Sequence, residues 1–519
     1  MNPRIRQKQA MRQRRAARIS REGRRLLSRL DAARRREDRG HPVLRRRRPR
    51  YEVADRVRAF AQGGIGAVHD VVLGSGLVEQ IDTRVSVLKV HRPYHESDHV
   101  LNIAYNALCG GRTLDDIELR RNDEAFLDAL GVEAIPDPTT AGDFCRRFAQ
   151  GHIEALLDAV NATRLQVWKR QGPEFTKTTA RIDGDGSIVP TTGECKEGMA
   201  LSYKGIWGYH PLLISLANTR EPLFIVNRGG NRPSSEGAAG YYDKAVALCR
   251  EAGFSDILLR GDTDFSQTEH LDRWSSEGVR FVFGYDAREN LKTRADGLAD
   301  ADYAELTRRA RGAFVAEEAR RSRPPRVKEE FVRARRYKNI RLRSEDVAEF
   351  DYSPTACAST YRIVVLRKNL SIERGEDVLF EDIRYFFYIT NDRELSREQV
   401  VFEANGRCDQ ENLIAQLKDG VRALHAPVNT LNANWAYMVM ASLAWTLKAW
   451  MALSLPISAR WRPKHEAQRD RWLHMEFRTF LEAVINVPVQ VIDTGRRLVL
   501  RFLAWRPQLP VLFRLLDAL

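Results

Sequence analysis

Thr179-Ala-Arg-Ile-Asp183-Gly-Asp185-Gly-Ser187 is a short β-forming run that ends in acid, and Leu258-Leu-Arg260-Gly-Asp262-Thr-Asp264-Phe265 repeats the form further along. Each delivers a carboxylate at the carboxyl end of a strand, where open α/β sheets bind ligands. In the first stretch Asp183 and Asp185 alternate, so both face the same way, and either suits a metal ion. The glycines between them are expected to keep the strand end open to a phosphate. In the second stretch an Asp can instead cap the helix that follows, and Asp264 is the better placed for that.

The segments around these two stretches set the fold class. Residues 206–216 read as a strand, irregular or edge-like at Pro211. Thr219-Arg-Glu-Pro222 is a hairpin turn, and residues 223–226 form a third strand. Ser235 can cap a helix over 236–251, which Gly253 ends. Residues 256–262 are the fourth strand, 267–276 a helix and 280–283 a fifth strand. The order β-β-β-α-β-α-β predicts an α/β protein with a ribonuclease H-like catalytic core, an antiparallel hairpin entering a mixed β-sheet with helices on its faces.

Further out, residues 51–175 read as a helical DNA-binding region, with Ser97 or Asp98 as a cap and a turn at Pro136-Asp-Pro138. No helix-turn-helix can be fixed within it. The core's first part spans 176–289. An insertion domain over 290–392 interrupts it, charged and mostly helical or irregular through 345, with strands at 361–367 and 383–390. The core resumes over 393–456 with a helix at 407–418, and 457–519 form a C-terminal helical region. The apolar run 435–456, broken by Lys448, approaches the length of a membrane span. It follows a polar helix and has no partner span, so a buried central helix is expected and no membrane is implied.

Charge is concentrated at one end. Residues 1–50, a basic arm, hold 19 Arg and one Lys against four acids, a net of +16, and the remaining 469 residues carry a net of −1. Such an arm suits a phosphate backbone, with Arg45, Arg46, Arg47 and Arg48 as DNA contacts. The basic stretch 308–343 is expected to contact DNA as well. The six cysteines are scattered with no C-x-x-C pair, which argues against a zinc ribbon and for reduced thiols. With no secretory h-region at the start, the expected location is the bacterial cytoplasm, associated with the nucleoid. His95-Glu-Ser-Asp-His99 matches the zinc-protease pattern H-E-x-x-H, but Ser97 and Asp98 read as a helix start, which spoils the presentation of two ligands on one helix.

A third acid completes the chemistry. In the helix at 407–418, offsets of four and seven put Arg407, Glu411 and Lys418 on one face. An Arg–Glu pair at that spacing is by itself a surface ion pair of little worth. Asp185, Asp262 and Glu411 together are the ingredients of a two-metal phosphoryl-transfer site, in which ions about 4 Å apart need oxygen ligands from separate elements.

These segments resemble the DDE transposases of bacterial insertion sequences, most closely the insertion sequence 1380 family, over about residues 180–448. That group's first Asp lies in D-x-T/S, matched by Asp185-Gly-Ser187, and its second in R-G-D-x-x-F, matched by Arg260-Gly-Asp262-Thr-Asp-Phe265. Its third acid lies in Y-x2-R-x3-E-x6-K, matched by Arg407, Glu411 and Lys418, with Ala404 where the Tyr is expected. Tyr209-His-Pro211-Leu212, and Arg228 with Asn231, resemble the group's second and third strands. The resemblance favours Asp185 over Asp183 and Asp262 over Asp264. It implies two Mg²⁺ ions, with Mn²⁺ as a substitute, and double-stranded DNA as partner, both the element's terminal inverted repeats and the target. It also implies a homodimer in a synaptic complex, and Arg407 and Lys418 holding phosphates. In related hairpin-forming enzymes an insertion-domain Trp stacks on an extruded base; here no Trp lies between Trp274 and Trp435. The expected function is DNA cleavage at element ends followed by strand transfer. The alternatives are a metal-dependent nuclease without strand transfer, and a DNA-binding protein that has lost catalysis.

Overall fold

The computed structural model describes residues 3–34, 58–91, 93–193, 195–306, 327–375, 377–494 and 497–519. Among these, nine strands form one mixed sheet. In chain order they are β1 (Ala180–Gly186), β2 (Leu212–Leu216), β3 (Glu221–Val226), β4 (Ile257–Gly261), β5 (Arg280–Tyr285), β6 (Ala304–Glu305), β7 (Lys338–Tyr352), β8 (Tyr361–Arg374) and β9 (Asp377–Thr390). Across the sheet they lie β6-β7-β8-β9-β5-β4-β1-β2-β3. β1, β4 and β5 run parallel, and β2 and β3 extend β1 antiparallel. β2, β3 and β4 are buried along their whole lengths, which is why they read as continuous apolar runs. The mixed α/β architecture expected from the sequence is present.

Alternation along β1 assigns the two faces. Gly184 faces the helix Ala238–Ala252, where a Cβ would stand 2.2 Å from the Tyr242 hydroxyl. Asp183 and Asp185 point the other way, toward the helices Arg397–Gly406 and Cys408–Ala415. Ser396 starts the first of these with a reciprocal cap, its Oγ accepting from Gln399 N at 3.2 Å while Gln399 Oε1 accepts from Ser396 N at 2.7 Å.

The apolar run near the C-terminus is the helix Leu431–Leu453, capped by Thr430 and lying wholly inside the protein. It is apolar all round because protein covers every side: β3, the helix Gln150–Lys169 and the helix Glu96–Leu108 all pack on it. Lys448 is absorbed there, its Nζ donating to Leu473 O at 2.8 Å and lying 3.8 Å above the Trp445 ring. Glu221, fully buried at the start of β3, accepts from Arg164 Nε (3.0 Å), Trp168 Nε1 (2.9 Å) and Trp450 Nε1 (2.8 Å), joining three elements through one carboxylate. The helical segment before β1 shares its hydrophobic core with the sheet.

Two expectations are corrected. Residues 338–345, read as helical or irregular, are the first part of β7, and β9 pairs antiparallel with β5, so the segment 290–392 extends the sheet. The alternation Ile340, Leu342 was obscured because charged residues occupy both faces near the exposed strand end. The C-terminal region is not wholly helical: Val489–Asp493 and Leu498–Phe502 form a hairpin that pairs with Arg58–Phe60. Val487, Val489 and Val491 carry the period of two that marks it. The basic arm includes a helix, Pro3–Arg34, docked on Leu509–Leu516, with Arg15 lying 4.6 Å over the Phe513 ring and hydrogen-bonded to Asp517. Arg45–Arg48 and residues 308–326 lie outside the described residues.

Candidate active site

Asp185 closes β1, and Asp262 follows β4 and caps the turn after it, its Oδ1 accepting from Asp264 N at 3.0 Å. Because β1 and β4 are parallel neighbours, both acids emerge at the same sheet end. Glu411 lies in the helix Cys408–Ala415, which starts afresh after a break at Arg407. That break aims Arg407 at the strand end. Its Nη1 lies 3.3 Å from Asp185 Oδ2 and its Nη2 3.6 Å from Glu411 Oε1, so one guanidinium spans two of the three acids.

The electrostatics agree with this grouping. Burial pushes the Asp185 carboxyl up to about 6, Asp262 and Glu411 add repulsion, and Arg407 and the Gly186 amide oppose the rise. Asp262 is also raised, first by burial, with Arg407 opposing. Asp185 therefore feels both other acids, and Arg407 opposes the rise at Asp185 and at Asp262.

The donor set is all oxygen, which fits hard divalent cations. The acids do not converge on one point: among the described residues only His91, His95 and Glu96 bring ligand atoms within 4.8 Å of one another. Asp185, Asp262 and Glu411 are the carboxylates that would hold such ions.

Asp183, expected as a further metal ligand, is placed elsewhere. It is fully buried, and its two oxygens accept from Arg260 Nε (2.7 Å) and Nη2 (2.8 Å). Arg260 also reaches Glu403 Oε2 at 3.1 Å, and Glu403 accepts from Arg181 at 2.6 and 2.8 Å. This ladder ties β1, β4 and the helix Arg397–Gly406 together beneath the site. Gly406 makes room for it, since a Cβ there would stand 2.6 Å from Arg260 Nη1. The sequence reading missed the pairing, although parallel register puts Asp183 opposite Arg260.

The glycines also differ from expectation. Gly184 and Gly261 are closed against Tyr242 and Phe265, and Gly186 lies against His210 and Ser234. They permit close packing of the strand ends, not approach by a ligand. Lys418 donates to Ile188 O at 2.8 Å, bracing the chain just past Asp185. A π-helical turn at Gln416–Gly420 shifts its direction from the simple helical offset. Arg228 donates to the carbonyls of His210, Ser234 and Glu236, holding the loop beside the site. His210, whose Nδ1 lies 2.8 Å from Arg232 O, is the site neighbour that spacing alone did not single out. The H-E-x-x-H segment is no zinc-protease helix: the helix begins at Glu96, and His99 is buried in a stack on Phe144 at 4.3 Å.

The family profile described as transposase DDE domain group 1 matches residues 61–519. No curated protein matches the chain. Among solved structures, a cryo-EM structure of the piggyBac transposase synaptic complex with hairpin DNA is similar at 10% sequence identity, covering 83% of this chain and 85% of that one, with a TM-score of 0.37. That likeness is too loose to assign a role to any residue.

Proposed function

The chain belongs to the transposase DDE domain group 1 family, and from that premise we propose that it cuts DNA at the ends of a mobile element and joins them to target DNA, using divalent ions held by Asp185, Asp262 and Glu411. The observation that carries this reading is the Arg407 clamp on Asp185 and Glu411, beside a carboxyl that burial and neighbouring acids push up to about 6. Asp185 and Asp262, partly buried beside the exposed Glu411, gather negative charge that cations would relieve.

Asp185, Asp262 and Glu411 would hold the ions. Bound Mg²⁺ or Mn²⁺ supplies Lewis-acid stabilisation of the leaving oxygen and activates the attacking hydroxyl. Arg407 would offer a bidentate fork to a DNA phosphate, and Lys418 keeps amine donors beyond the one given to Ile188. The Arg260–Asp183–Glu403 ladder keeps the strand ends in register under load.

The ribonuclease H-like assignment of 176–289 and 393–456 is supported by the strand order β3-β2-β1-β4-β5, with its antiparallel hairpin and parallel centre. In this reading residues 290–392 are the insertion, 51–175 and the basic arm bind DNA, and 457–519 serve assembly. The narrower kinship to the insertion sequence 1380 group rests on the R-G-D and R-x3-E-x6-K motifs, with Ala404 as the departure. A homodimer would meet the need to hold two ends together, and acting on bacterial DNA would place it at the nucleoid.

The test is incubation of labelled element ends with Mg²⁺ and either the wild-type protein or Asp262→Ala. Joined products from the wild type alone support the proposal. Nicks without joining identify a nuclease, and binding without Mg²⁺-dependent cleavage identifies a DNA-binding protein.

A further inference from the structure

Residues 85–95 join the helix Leu77–Arg84 to the helix Glu96–Leu108. Where that connection meets the second helix, three metal-ligating side chains come together. One ring nitrogen each of His91 and His95 and one carboxylate oxygen of Glu96 all lie within 4.8 Å of one another. His91 Nε2 lies 2.9 Å from Glu96 Oε2, and the His91 and His95 rings stack with centroids 4.4 Å apart and planes within 5°. Both histidines are exposed, so an ion can reach them from solvent, whereas Glu96 is 2% exposed.

The buried carboxylate is held in a fixed direction. Its Oε1 accepts from Val87 N (3.1 Å) and Leu88 N (3.0 Å), which leaves Oε2 to the imidazoles. Hydrogen bonds behind a carboxylate are how proteins orient it toward a metal ion. His95 N donates to Asp98 Oδ2 at 2.8 Å, and Ser97 N and Oγ each donate to Asp82 at 2.9 Å, so the turn carrying His95 and Glu96 is braced on both sides. Asp82, Glu96 and Asp98 also offset the positive end of the helix, which alone would disfavour a cation. A hydrogen bond accounts for the contact of His91 with Glu96, but not for a second imidazole in the same sphere. Face-to-face rings at this separation suit neutral imidazoles, each with a nitrogen lone pair, since two imidazoliums would repel.

We propose that His91, His95 and Glu96 bind one Zn²⁺ ion, at a site separate from Asp185, Asp262 and Glu411. Two imidazole nitrogens and one carboxylate oxygen are an established three-ligand set for this ion, with the fourth position left for water. Donor chemistry divides the two sites: nitrogen ligands favour a borderline ion such as Zn²⁺, and the all-oxygen set favours Mg²⁺. The ion takes the place of the proton between His91 Nε2 and Glu96 Oε2, and that proton passes to the other nitrogen of the His91 ring. Because His91 lies in the connection and Glu96 on the helix that follows, the ion clips one onto the other. The H-E-x-x-H pattern contributes only its first two residues, His95 and Glu96, since His99 is stacked on Phe144. The role is structural and does not depend on the DNA-cleavage reading.

The test is calorimetric titration of the EDTA-stripped full chain with ZnCl₂ in excess Mg²⁺, which occupies the all-oxygen set. His91→Ala and His95→Ala should each weaken Zn²⁺ binding at least about 100-fold, as much as or more than the loss of a residue that only supports a ligand. Asp262→Ala should leave that binding in place. Zn²⁺ should raise the melting temperature of the wild type and not that of His95→Ala, and in EDTA both histidine variants should melt with the wild type because the imidazoles are exposed. Co²⁺ in place of Zn²⁺ should give the strong visible bands of a tetrahedral ion, without the thiolate band that the exposed Cys195 or Cys408 would produce. No Zn²⁺ binding, binding that survives His95→Ala, binding lost in Asp262→Ala, or a thiolate-bound or octahedral cobalt spectrum would overturn the site.

Discussion

Arg407 Nη1 stands 3.3 Å from Asp185 Oδ2, across 222 residues of chain. A break between two helices sets that contact, and the same guanidinium reaches Glu411 at 3.6 Å. Arg407 is thus a counter-ion of the acidic set and, in the proposed function, a cation for a DNA phosphate. Arg407→Ala is expected to lower Mg²⁺-dependent cleavage by roughly 10²-fold in single-turnover assays. Arg407→Lys should fall between, because it keeps the charge and loses the fork. An unchanged rate in Arg407→Ala would contradict this role.

Asp185 makes stability depend on pH in a defined direction. Its folded value of about 6 lies above the unfolded value of about 3.9. The stability it contributes is therefore present below the unfolded value and is lost as pH rises through about 6. Without metal at pH near 8, Asp185→Asn should be more stable than the wild type, by up to about 3 kcal/mol, and the gap should close near pH 4. Mg²⁺ should raise the melting temperature of the wild type and leave that of Asp185→Asn in place. Thermal melts across pH, with and without Mg²⁺, check both halves, and a wild type as stable as the variant at high pH would refute the assignment.

Asp183 predicts the opposite behaviour. Removing it leaves Arg260 buried with only Glu403 as an acidic partner. Asp183→Ala should cost about 3 kcal/mol in urea unfolding, whereas Asp262→Ala should cost little and abolish cleavage. Equal stability of the two variants would remove the distinction drawn here between the carboxylate that supports the strands and the one that serves the site.

The basic arm should govern the electrostatic part of DNA affinity. Deleting residues 1–50 removes a net charge of +16. The slope of log affinity against log salt should shrink in magnitude by at least about 3, with weaker binding to any duplex at low salt. Fluorescence anisotropy over a salt series measures it, and an unchanged slope would show that the helix Pro3–Arg34 only packs on Leu509–Leu516.

The parts of this protein legible in sequence were those where one period or one spacing dominates. The buried strands β2, β3 and β4 read as apolar runs, and the central helix Leu431–Leu453 read as buried because it follows a polar helix and has no partner span. Asp185 and Asp262 were legible because each ends such a run. β7 was not, because charged residues occupy both faces near its exposed end and hide the period of two. The hairpin at 489–502 was not, because its partner Arg58–Phe60 lies more than four hundred residues away. Asp183 and Arg260 each fit a ligand motif, and only their register as neighbours on parallel strands reveals that they neutralise each other. The break at Arg407 leaves no signal in local propensity, since the residues on both sides of it are helical.

The central claim is that Asp185, Asp262 and Glu411 hold divalent ions together, and anomalous diffraction from crystals soaked in Mn²⁺ tests it most directly. The account predicts two peaks about 4 Å apart, with Asp185 between them and Asp262 and Glu411 on opposite sides, and the loss of at least one peak in Asp262→Ala. Peaks absent from these three carboxylates, or found only at His91, His95 and Glu96, would contradict it.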